Sequence, residues 1–221
     1  MKRLVIIAEG ETEESFVNQI LCPYFCKSGI FNGIQCFKIK HSDGGVSKYT
    51  YIKKDILNVI YEKDVIVTTM IDFYRIPSDF PGFKESKNEG SHQEQVTFLE
   101  KAMRRDIEET QNEVFDNFIP YIQLHEFEAL VFSSMSGVDA LFERSEFQFK
   151  EFQKVIEHYP NPEDINNRPD TAPSVRLKKI ITGYDKVLYG IGIVKETGME
   201  TTLSKCPHFN VWINKLKNSL L

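Results

Sequence analysis

The stretch Leu4-Val5-Ile6-Ile7-Ala8-Glu9-Gly10-Glu11-Thr12-Glu13 decides the fold, together with Val65-Ile66-Val67-Thr68-Thr69-Met70-Ile71-Asp72. Each stretch begins with a run of apolar or β-branched residues that ends on a carboxylate. Such runs are typical of strands that are buried on both faces of a parallel sheet. In open α/β sheets the carboxyl ends of the strands form the crevice in which ligands bind. We therefore expect Glu9 and Asp72 to lie at this edge of the sheet.

Strand-like and helix-like segments alternate over residues 1–132. The predicted strands are 4–8, 34–39, 65–71 and 118–124, and the predicted helices between them are 11–21, 48–61 and 91–109. Helix 11–21 is expected to end before Pro23, because proline lacks the backbone N–H that a helix needs. Helix 91–109 begins with the capping-box pattern Ser91-x-x-Glu94. The alternation predicts right-handed βαβ units and an α/β fold with a mainly parallel four-stranded sheet.

The chain becomes predominantly helical after residue 132. Helical segments are predicted near 136–143, 146–159, 173–182 and 207–218, separated by loops rich in Pro, Asn and Asp. We find no internal repeat and no low-complexity stretch. Residues 133–221 are therefore expected to form a helical elaboration packed on an α/β core of residues 1–132, within one domain.

Composition and net charge limit the classes of protein to which this chain can belong. A chain of 221 residues with 41% hydrophobic residues can bury a substantial core, so disorder is not expected. No apolar run approaches the roughly 20 residues of a membrane span, and no signal-peptide pattern precedes Glu9, so a cytoplasmic protein without membrane contact is expected. The net charge of −5 argues against unaided tight binding of nucleic acid, although a local basic patch or a partner could supply it. The four cysteines contain no CxxC pair and are expected to be free thiols.

Glu13 is the most informative acid of the first helix. It precedes Phe16 and Val17 by three and four residues, so it belongs to the apolar face. A buried charge is costly without a partner, and a nearby cation would explain its position. Alternatively, Glu13 only complements the helix dipole, as Glu11 and Glu14 are expected to do.

A metal site follows from the acids at the strand ends. Asp72 could cap a turn, but the parallel position of Glu9 favours a shared function. Two carboxylates at one edge repel each other unless a cation or a proton lies between them. Oxygen ligands of this kind suit Mg²⁺ or Mn²⁺.

The fourth predicted strand also leads into acids. Glu126 and Glu128 follow it, and both are candidate metal ligands. Residues two apart do not share a helix face, so we place Glu126 nearer to the crevice than Glu128. First-turn acids that complement a helix dipole are the alternative explanation for both. His125 is expected to be structural or to support a ligand rather than to bind metal itself.

Several residues are candidates for substrate binding. Gly10 could allow close approach of the backbone, and Gly44-Gly45 could hold a phosphate with backbone N–H groups. That glycine pair lacks the Walker and GxGxxG patterns, and a plain turn is the alternative. Arg176, Lys178 and Lys179 form a basic cluster that could contact a nucleic-acid backbone or could simply be a solvated helix face.

The pattern Glu9-Gly10-x-Thr12-Glu13 after a hydrophobic strand, with Asp72 ending a later strand, resembles the TOPRIM domain of topoisomerases, primases and overcoming-lysogenization-defect nucleases. Further strings make the chain similar to a bacterial TOPRIM-like family of unknown function that is often encoded beside AAA/ABC-type ATPases in defence-related loci. These strings are 68–74, 79–82, 119–130, 171–174, 183–187 and 206–209. The resemblance implies a TOPRIM-like Rossmannoid core, Mg²⁺ binding, and an acid–base or metal role for the first glutamate.

Residue by residue, Glu9 matches the TOPRIM glutamate and Asp72 matches the first Asp of its DxD motif. Tyr74 stands where the second Asp would be. This difference turns attention to Glu13, Glu126 and Glu128 as substitute ligands.

The resulting hypothesis is an Mg²⁺- or Mn²⁺-dependent phosphodiesterase, a nuclease for DNA or RNA, with Glu9 and Asp72 as catalytic residues and an ATPase partner. The first alternative is a non-catalytic regulatory or sensor subunit of such an ATPase. The second is a haloacid-dehalogenase-like phosphatase, which would need a second Asp where Tyr74 stands.

Overall fold

The computed structural model describes residues 1–40, 46–165, 168 and 170–221. Its centre is a sheet in which every strand pairing is parallel. The strands are β1 (Arg3–Ala8), β2 (Ile34–Lys38), β3 (Val65–Asp72), β4 (Phe118–Ile119) and β5 (Ile122–Gln123). Their order is β2-β1-β3-β4, and β5 pairs with the last residues of β3. The α/β prediction with a mainly parallel sheet is confirmed.

The predicted strand 118–124 is two short strands, so the sheet has five strands instead of four. Pro120 separates them, because it has no N–H to donate to β3. The side chain of Thr69 bridges the gap: its Oγ1 accepts from Tyr121 N at 2.9 Å and donates to Tyr121 O at 2.8 Å. The broken strand therefore remains attached to the sheet up to the edge where the acids lie.

The first helical region is longer than the sequence predicts. It runs as α1 (Glu11–Phe16), a π turn (Val17–Leu21) and α2 (Cys22–Lys27). The expectation that it ends before Pro23 is wrong. Pro23 lies in the first turn of α2, directly after the π turn, where a missing N–H is tolerated.

Two helices cover the face of the sheet that lies opposite α1 and α2. They are α3 (Tyr49–Val59) and α4 (His92–Gln111). The capping box of α4 is confirmed, since Ser91 Oγ accepts from Glu94 N and Glu94 Oε2 accepts from Ser91 N at 2.8 Å. The helix ends at Asn112, whose φ of 52° is left-handed.

The C-terminal part contains more helices than predicted. A buried 3₁₀ segment (Phe127–Ser133) leads into α5 (Met135–Leu141), α6 (Phe149–His158), α7 (Pro173–Ile180), a π turn (Lys186–Gly190), α8 (Ile191–Thr197), α9 (Met199–Lys205) and α10 (Pro207–Leu220). The four predicted helical segments correspond to α5, α6, α7 and α10, whereas α8 and α9 were not predicted. Gly137 lets α5 approach α8 closely, since a Cβ there would lie 2.3 Å from the carbonyl of Ile193.

The two faces of the sheet pack against different partners. Leu4 and Ile6 contact a core that also contains α1, α2 and the C-terminal helices up to α10. Val5 and Ile7, which alternate with them along β1, contact the core formed with α3 and α4. The carboxyl edge of the sheet is thus enclosed between the two layers, which places its acids in a buried setting. Within the described ranges, no helix combines the length and the apolarity that crossing a membrane requires.

Candidate carboxylate site at the edge of the sheet

Glu9 and Asp72 meet at the carboxyl edge because their strands are neighbours. Ala8 at the end of β1 is in register with Met70 of β3. Glu9 Oε2 accepts a hydrogen bond from the backbone N–H of Asp72 at 2.9 Å. Asp72 Oδ1 in turn accepts from the N–H of Phe127 at 3.1 Å. Both side chains are buried, so the backbone fixes two acids side by side away from bulk water.

Glu13 joins them from α1. Its carboxylate accepts from Gly10 N at 2.9 Å and closes the first turn of the helix. It is 3% exposed, and its charge raises the pKa of both Glu9 and Asp72, so it lies in the same cluster. Gly10 has an extended backbone with φ of −157° and donates its N–H to Glu13. The structure thus gives Gly10 a capping contact.

Glu128 completes the cluster, and Glu126 faces elsewhere. Glu128 Oε1 lies 3.8 Å from Lys186 Nζ, and Glu128 Oε2 is buried without a hydrogen-bond partner. Glu126 Oε1 instead accepts from Ser174 N at 2.7 Å, in the first turn of α7. The structure therefore reverses the order in which the sequence analysis placed these acids. The reason is the 3₁₀ segment after Glu126, which is buried at every residue, so the assumed exposed helix face does not exist.

We call Glu9, Glu13, Asp72 and Glu128 the edge acids. Burial raises the pKa of each one above its ordinary value. For Asp72 the pKa rises well above that value, because the charges of the other three edge acids add to the burial. For Glu128 burial raises the pKa to about 7, although Lys186 opposes the shift. The fold therefore holds four carboxyl groups that resist being charged together.

Lys186 is the cation that these acids share. Partial burial lowers the pKa of its ammonium group, but Glu128, Asp72, Glu13 and Glu9 together outweigh burial and raise it. Arg75 also favours the charged form of Glu9. The sequence analysis missed Lys186 as a site residue. It begins the π turn 186–190, where no helical periodicity marks it, although it lies within the string 183–187 that carries part of the family resemblance and directly after Asp185, whose side chain caps that turn.

Tyr184 is a second residue that the sequence analysis did not select. Its hydroxyl is buried and has no hydrogen-bond partner. Burial, with smaller contributions from Glu128 and Glu126, raises its pKa well above the usual value, so it lies beside these acids as a neutral phenol. A Cβ on Gly190 would come within 2.7 Å of this hydroxyl, and glycine is needed there for the approach.

His125 is a neutral, buried histidine beside the site. Its φ of 62° is left-handed, and its carbonyl accepts from Tyr74 N at 2.9 Å. Burial, together with His92, lowers its pKa to about 4. Neither ring nitrogen makes a hydrogen bond of normal geometry, although the backbone of Glu163 lies close enough to favour the charged form slightly. These contacts fit the structural role expected for His125.

Among the described residues, Arg176, Lys178 and Lys179 make no hydrogen bond or ion pair with the edge acids. Arg176 Nε donates to Thr171 O at 2.7 Å, and its guanidinium stacks over Tyr159. Lys179 Nζ donates to Asp170 O at 2.9 Å, and Lys178 is exposed on the last turn of α7. Gly44 and Gly45 lie outside the described residues.

The edge acids fit a hard cation by their chemistry. All the available donors are oxygen atoms, the ligands that Mg²⁺ and Mn²⁺ prefer, and Glu128 Oε2 is a buried acceptor without a donor. In the part of the chain that the structure describes, no three His, Cys, Asp or Glu side chains are arranged to hold a metal ion. The donor set is therefore suitable but is not assembled in ligand geometry.

Comparison with known proteins identifies a family but no characterised relative. Searches of curated proteins and of solved structures give no significant match. Residues 8–217, which include all the edge acids and Lys186, match a domain of unknown function, DUF4276. The chain therefore belongs to the DUF4276 family.

Proposed function

We propose that this protein is a metal-dependent phosphodiesterase, and specifically a nuclease, whose chemistry takes place at the edge acids. The observation that carries the proposal is the burial of Glu9, Glu13, Asp72 and Glu128 around one shared cation, Lys186. Retaining several mutually repelling acids at one sheet edge costs stability, which is typical of sites where a fold keeps charge for function.

Phosphodiester cleavage is favoured over other acid-dependent reactions by the resemblance to TOPRIM domains. Glu9, Gly10, Thr12 and Glu13 follow β1 in the pattern of that domain, and Asp72 ends β3 as its first DxD acid does. The same resemblance supports an AAA/ABC-type ATPase as partner. Such a partner, or a local basic surface, would supply the affinity for nucleic acid that a net charge of −5 does not.

The proposed mechanism assigns different tasks to Glu9, to Lys186 and to the edge acids as a set. Glu9, held by the N–H of Asp72 and with its pKa raised by burial, accepts the proton of the attacking water. The Lys186 ammonium group stabilises the negative charge that develops on the phosphoryl oxygens while the bond to the leaving oxygen breaks. A Mg²⁺ or Mn²⁺ ion held by Glu9, Asp72, Glu13 and Glu128 would polarise the phosphodiester and neutralise the repulsion among the acids.

A nuclease assay across a metal series tests this proposal. Single- and double-stranded DNA and RNA would be incubated with Mg²⁺ or Mn²⁺, with and without the ATPase encoded nearby. Glu9→Gln keeps the shape of the side chain but removes the base, and cleavage should fall about a hundredfold or more. Glu11→Gln is the matched control, because Glu11 is an exposed acid only two residues away, in the first turn of α1. Equal cleavage by wild type and Glu9→Gln, or no cleavage of any substrate, would reject the nuclease.

The alternative is a non-catalytic regulatory or sensor subunit of an ATPase system. Two observations favour it: the acids in the described residues are not arranged as a metal site, and Tyr74 replaces the second Asp of the DxD motif. Calorimetric titration with Mn²⁺ separates the two proposals. A nuclease site should bind Mn²⁺ and lose that binding in Asp72→Asn, whereas an inert subunit should bind none.

A further inference from the structure

A second site lies in a cavity of about 640 Å³ between α4 and α10, beyond the edge strand β4. Four cationic side chains line it: Lys101, Arg104 and Arg105 from α4, and Lys215 from α10. None of its lining residues belongs to the edge acids or contacts Lys186. The cavity is thus a positively charged feature of a chain whose net charge is negative.

The acids in this cavity are already engaged by other groups. Glu108 pairs with Arg104 and accepts from Phe115 N at 3.2 Å. Glu100 Oε1 accepts from Ile122 N at 2.9 Å and lies 3.1 Å from His208 Nε2. With four cations against these two carboxylates, the lining keeps a net positive charge.

Three cations remain to face a ligand. Among the ion pairs of the described residues, none includes Lys101, Arg105 or Lys215. Arg104 is held in place, because its guanidinium donates to the carbonyls of Phe115 (2.9 Å) and Phe118 at the start of β4. A fixed guanidinium together with ammonium and guanidinium groups that have no ion-pair partner is an arrangement that binds oxyanions.

We propose that this cavity binds a small ligand that carries two or more linked phosphate groups. Its volume is within the roughly 300–1,000 Å³ of small-molecule sites. Its lining contains no aromatic side chain on which a base could stack, so recognition rests on the phosphates. Either a nucleotide di- or triphosphate or an inorganic polyphosphate supplies that chemistry.

A nucleic-acid strand fits the same surface less well. A strand would require basic side chains that continue beyond the cavity. Along α4 the adjoining depression is lined by Glu89 and Glu94 next to Lys101, so the basic surface ends there. The cations converge on one concavity instead of extending as a stripe.

Titration calorimetry in EDTA tests the proposal. EDTA removes divalent ions, so phosphates cannot bind through a metal at the edge acids, and the result is independent of nuclease activity. The probes are inorganic tripolyphosphate, ATP and a single-stranded oligonucleotide, at constant ionic strength. Wild type should bind tripolyphosphate or ATP. The triple variant Lys101→Ala/Arg105→Ala/Lys215→Ala should bind about tenfold more weakly or worse, as expected when charge-assisted contacts are removed.

A second triple variant controls for net charge. Lys27→Ala/Lys195→Ala/Lys205→Ala removes three exposed cations outside the cavity and should keep wild-type affinity. Tighter binding of ATP than of tripolyphosphate would identify a nucleotide as the ligand, and equal binding would identify the phosphates alone. The proposal is overturned if wild type binds neither probe, if both triple variants lose affinity equally, or if only the oligonucleotide binds.

Discussion

Two groups of buried acids in this protein differ in how closely each carboxylate is surrounded by other carboxylates. Glu163 and Glu100 form the first group, in which each carboxylate has its own donors: Glu163 accepts from His208 N at 2.8 Å and Phe209 N at 2.9 Å, and Glu100 accepts from Ile122 N at 2.9 Å. The edge acids form the second group: Glu9, Asp72 and Glu13 also accept from one backbone N–H each, but the four carboxylates repel one another around the shared Lys186, and Glu128 Oε2 has no donor. The hydrogen bonds of the first group connect α10, α4 and β5. In the second group, one lysine faces four carboxylates, so negative charge remains in excess.

Acids of the first group stabilise the fold through their hydrogen bonds, whereas the edge acids cost stability because they repel one another. A buried carboxylate that accepts from two backbone N–H groups satisfies both of them, and removing it leaves those donors without a partner, even though burial raises the pKa of Glu163 as it does for the edge acids. A carboxylate among other carboxylates loses from being charged, and neutralising it relieves repulsion. Removing an acid of the first group should therefore lower stability, whereas neutralising an edge acid should raise it.

The largest effect is expected for Glu163→Ala. The substitution leaves two buried N–H groups in the first turn of α10 without acceptors, so the free energy of unfolding should fall by about 3–5 kcal/mol. Urea unfolding followed by circular dichroism measures the change. Glu157→Ala is the matched control on an exposed helix surface and should stay within about 0.5 kcal/mol of wild type. A small loss for Glu163→Ala would remove the distinction between the groups.

Next in size is the pH dependence caused by Glu128. Its pKa is raised to about 7 in the fold, from 4.5, so the folded state binds more protons than the unfolded state between these values. Stability should therefore fall as the pH rises from about 4.5 to 7, by at most about 3 kcal/mol from this residue. Glu128→Gln should flatten the profile in that window when urea unfolding is repeated across the pH range. Identical slopes for wild type and variant would contradict the assignment.

His208, which is hydrogen-bonded to Glu100, contributes to the same profile from about pH 6.5 upward. The pKa of His208 is raised above 6.5, because its hydrogen bond to Glu100 outweighs the effect of burial. The protonated form therefore stabilises the fold below pH 6.5, and this contribution is lost as the pH rises through the higher folded value. Both contributions are lost as the pH rises, and Glu128→Gln removes only the part that belongs to Glu128.

Asp72→Asn is expected to change stability less than Glu163→Ala, and to raise it instead of lowering it. The variant keeps the oxygen that accepts from Phe127 N but removes a buried charge, so metal-free stability should rise by about 1–2 kcal/mol. Mg²⁺ or Mn²⁺ should then raise the melting temperature of wild type more than that of the variant. Asp79→Asn provides the contrast, because Asp79 caps the N–H of Tyr49 and should lose stability. Equal metal shifts for wild type and Asp72→Asn would place the cation elsewhere.

The sequence was sufficient for the parts of the site that rest on local periodicity. Glu9 and Asp72 were predictable because uninterrupted apolar runs mark β1 and β3, and Glu13 because helical spacing places it with Phe16. The order of Glu126 and Glu128 was not predictable, because a fully buried 3₁₀ segment has no amphipathic pattern to set the phase.

Contacts between segments that are far apart along the chain also could not be predicted from the sequence. Lys186 reaches the acids from a π turn, and Glu163 reaches α10 from a loop, so neither has a periodic signal. The predicted helix end before Pro23 was wrong for a different reason: the π turn before this proline makes it tolerable within a continuous helical region. Tertiary packing decides all of these positions, and a single sequence does not contain it in readable form.

The smallest change in stability is expected for Lys186→Gln, and its sign is opposite to that of Asp72→Asn. Removing the shared cation should lower metal-free stability, but the side chain is 48% exposed and water screens its charge, so about 0.5–1 kcal/mol is expected. Mg²⁺ or Mn²⁺ should then raise the melting temperature by more than in wild type, because the ion supplies the positive charge that the variant lacks. Lys178→Gln, at an exposed position of α7, should change neither quantity. If Lys186→Gln were as stable as wild type and gained no more from metal, the edge acids would be balanced without Lys186, and the comparison with Glu163 would lose its physical basis.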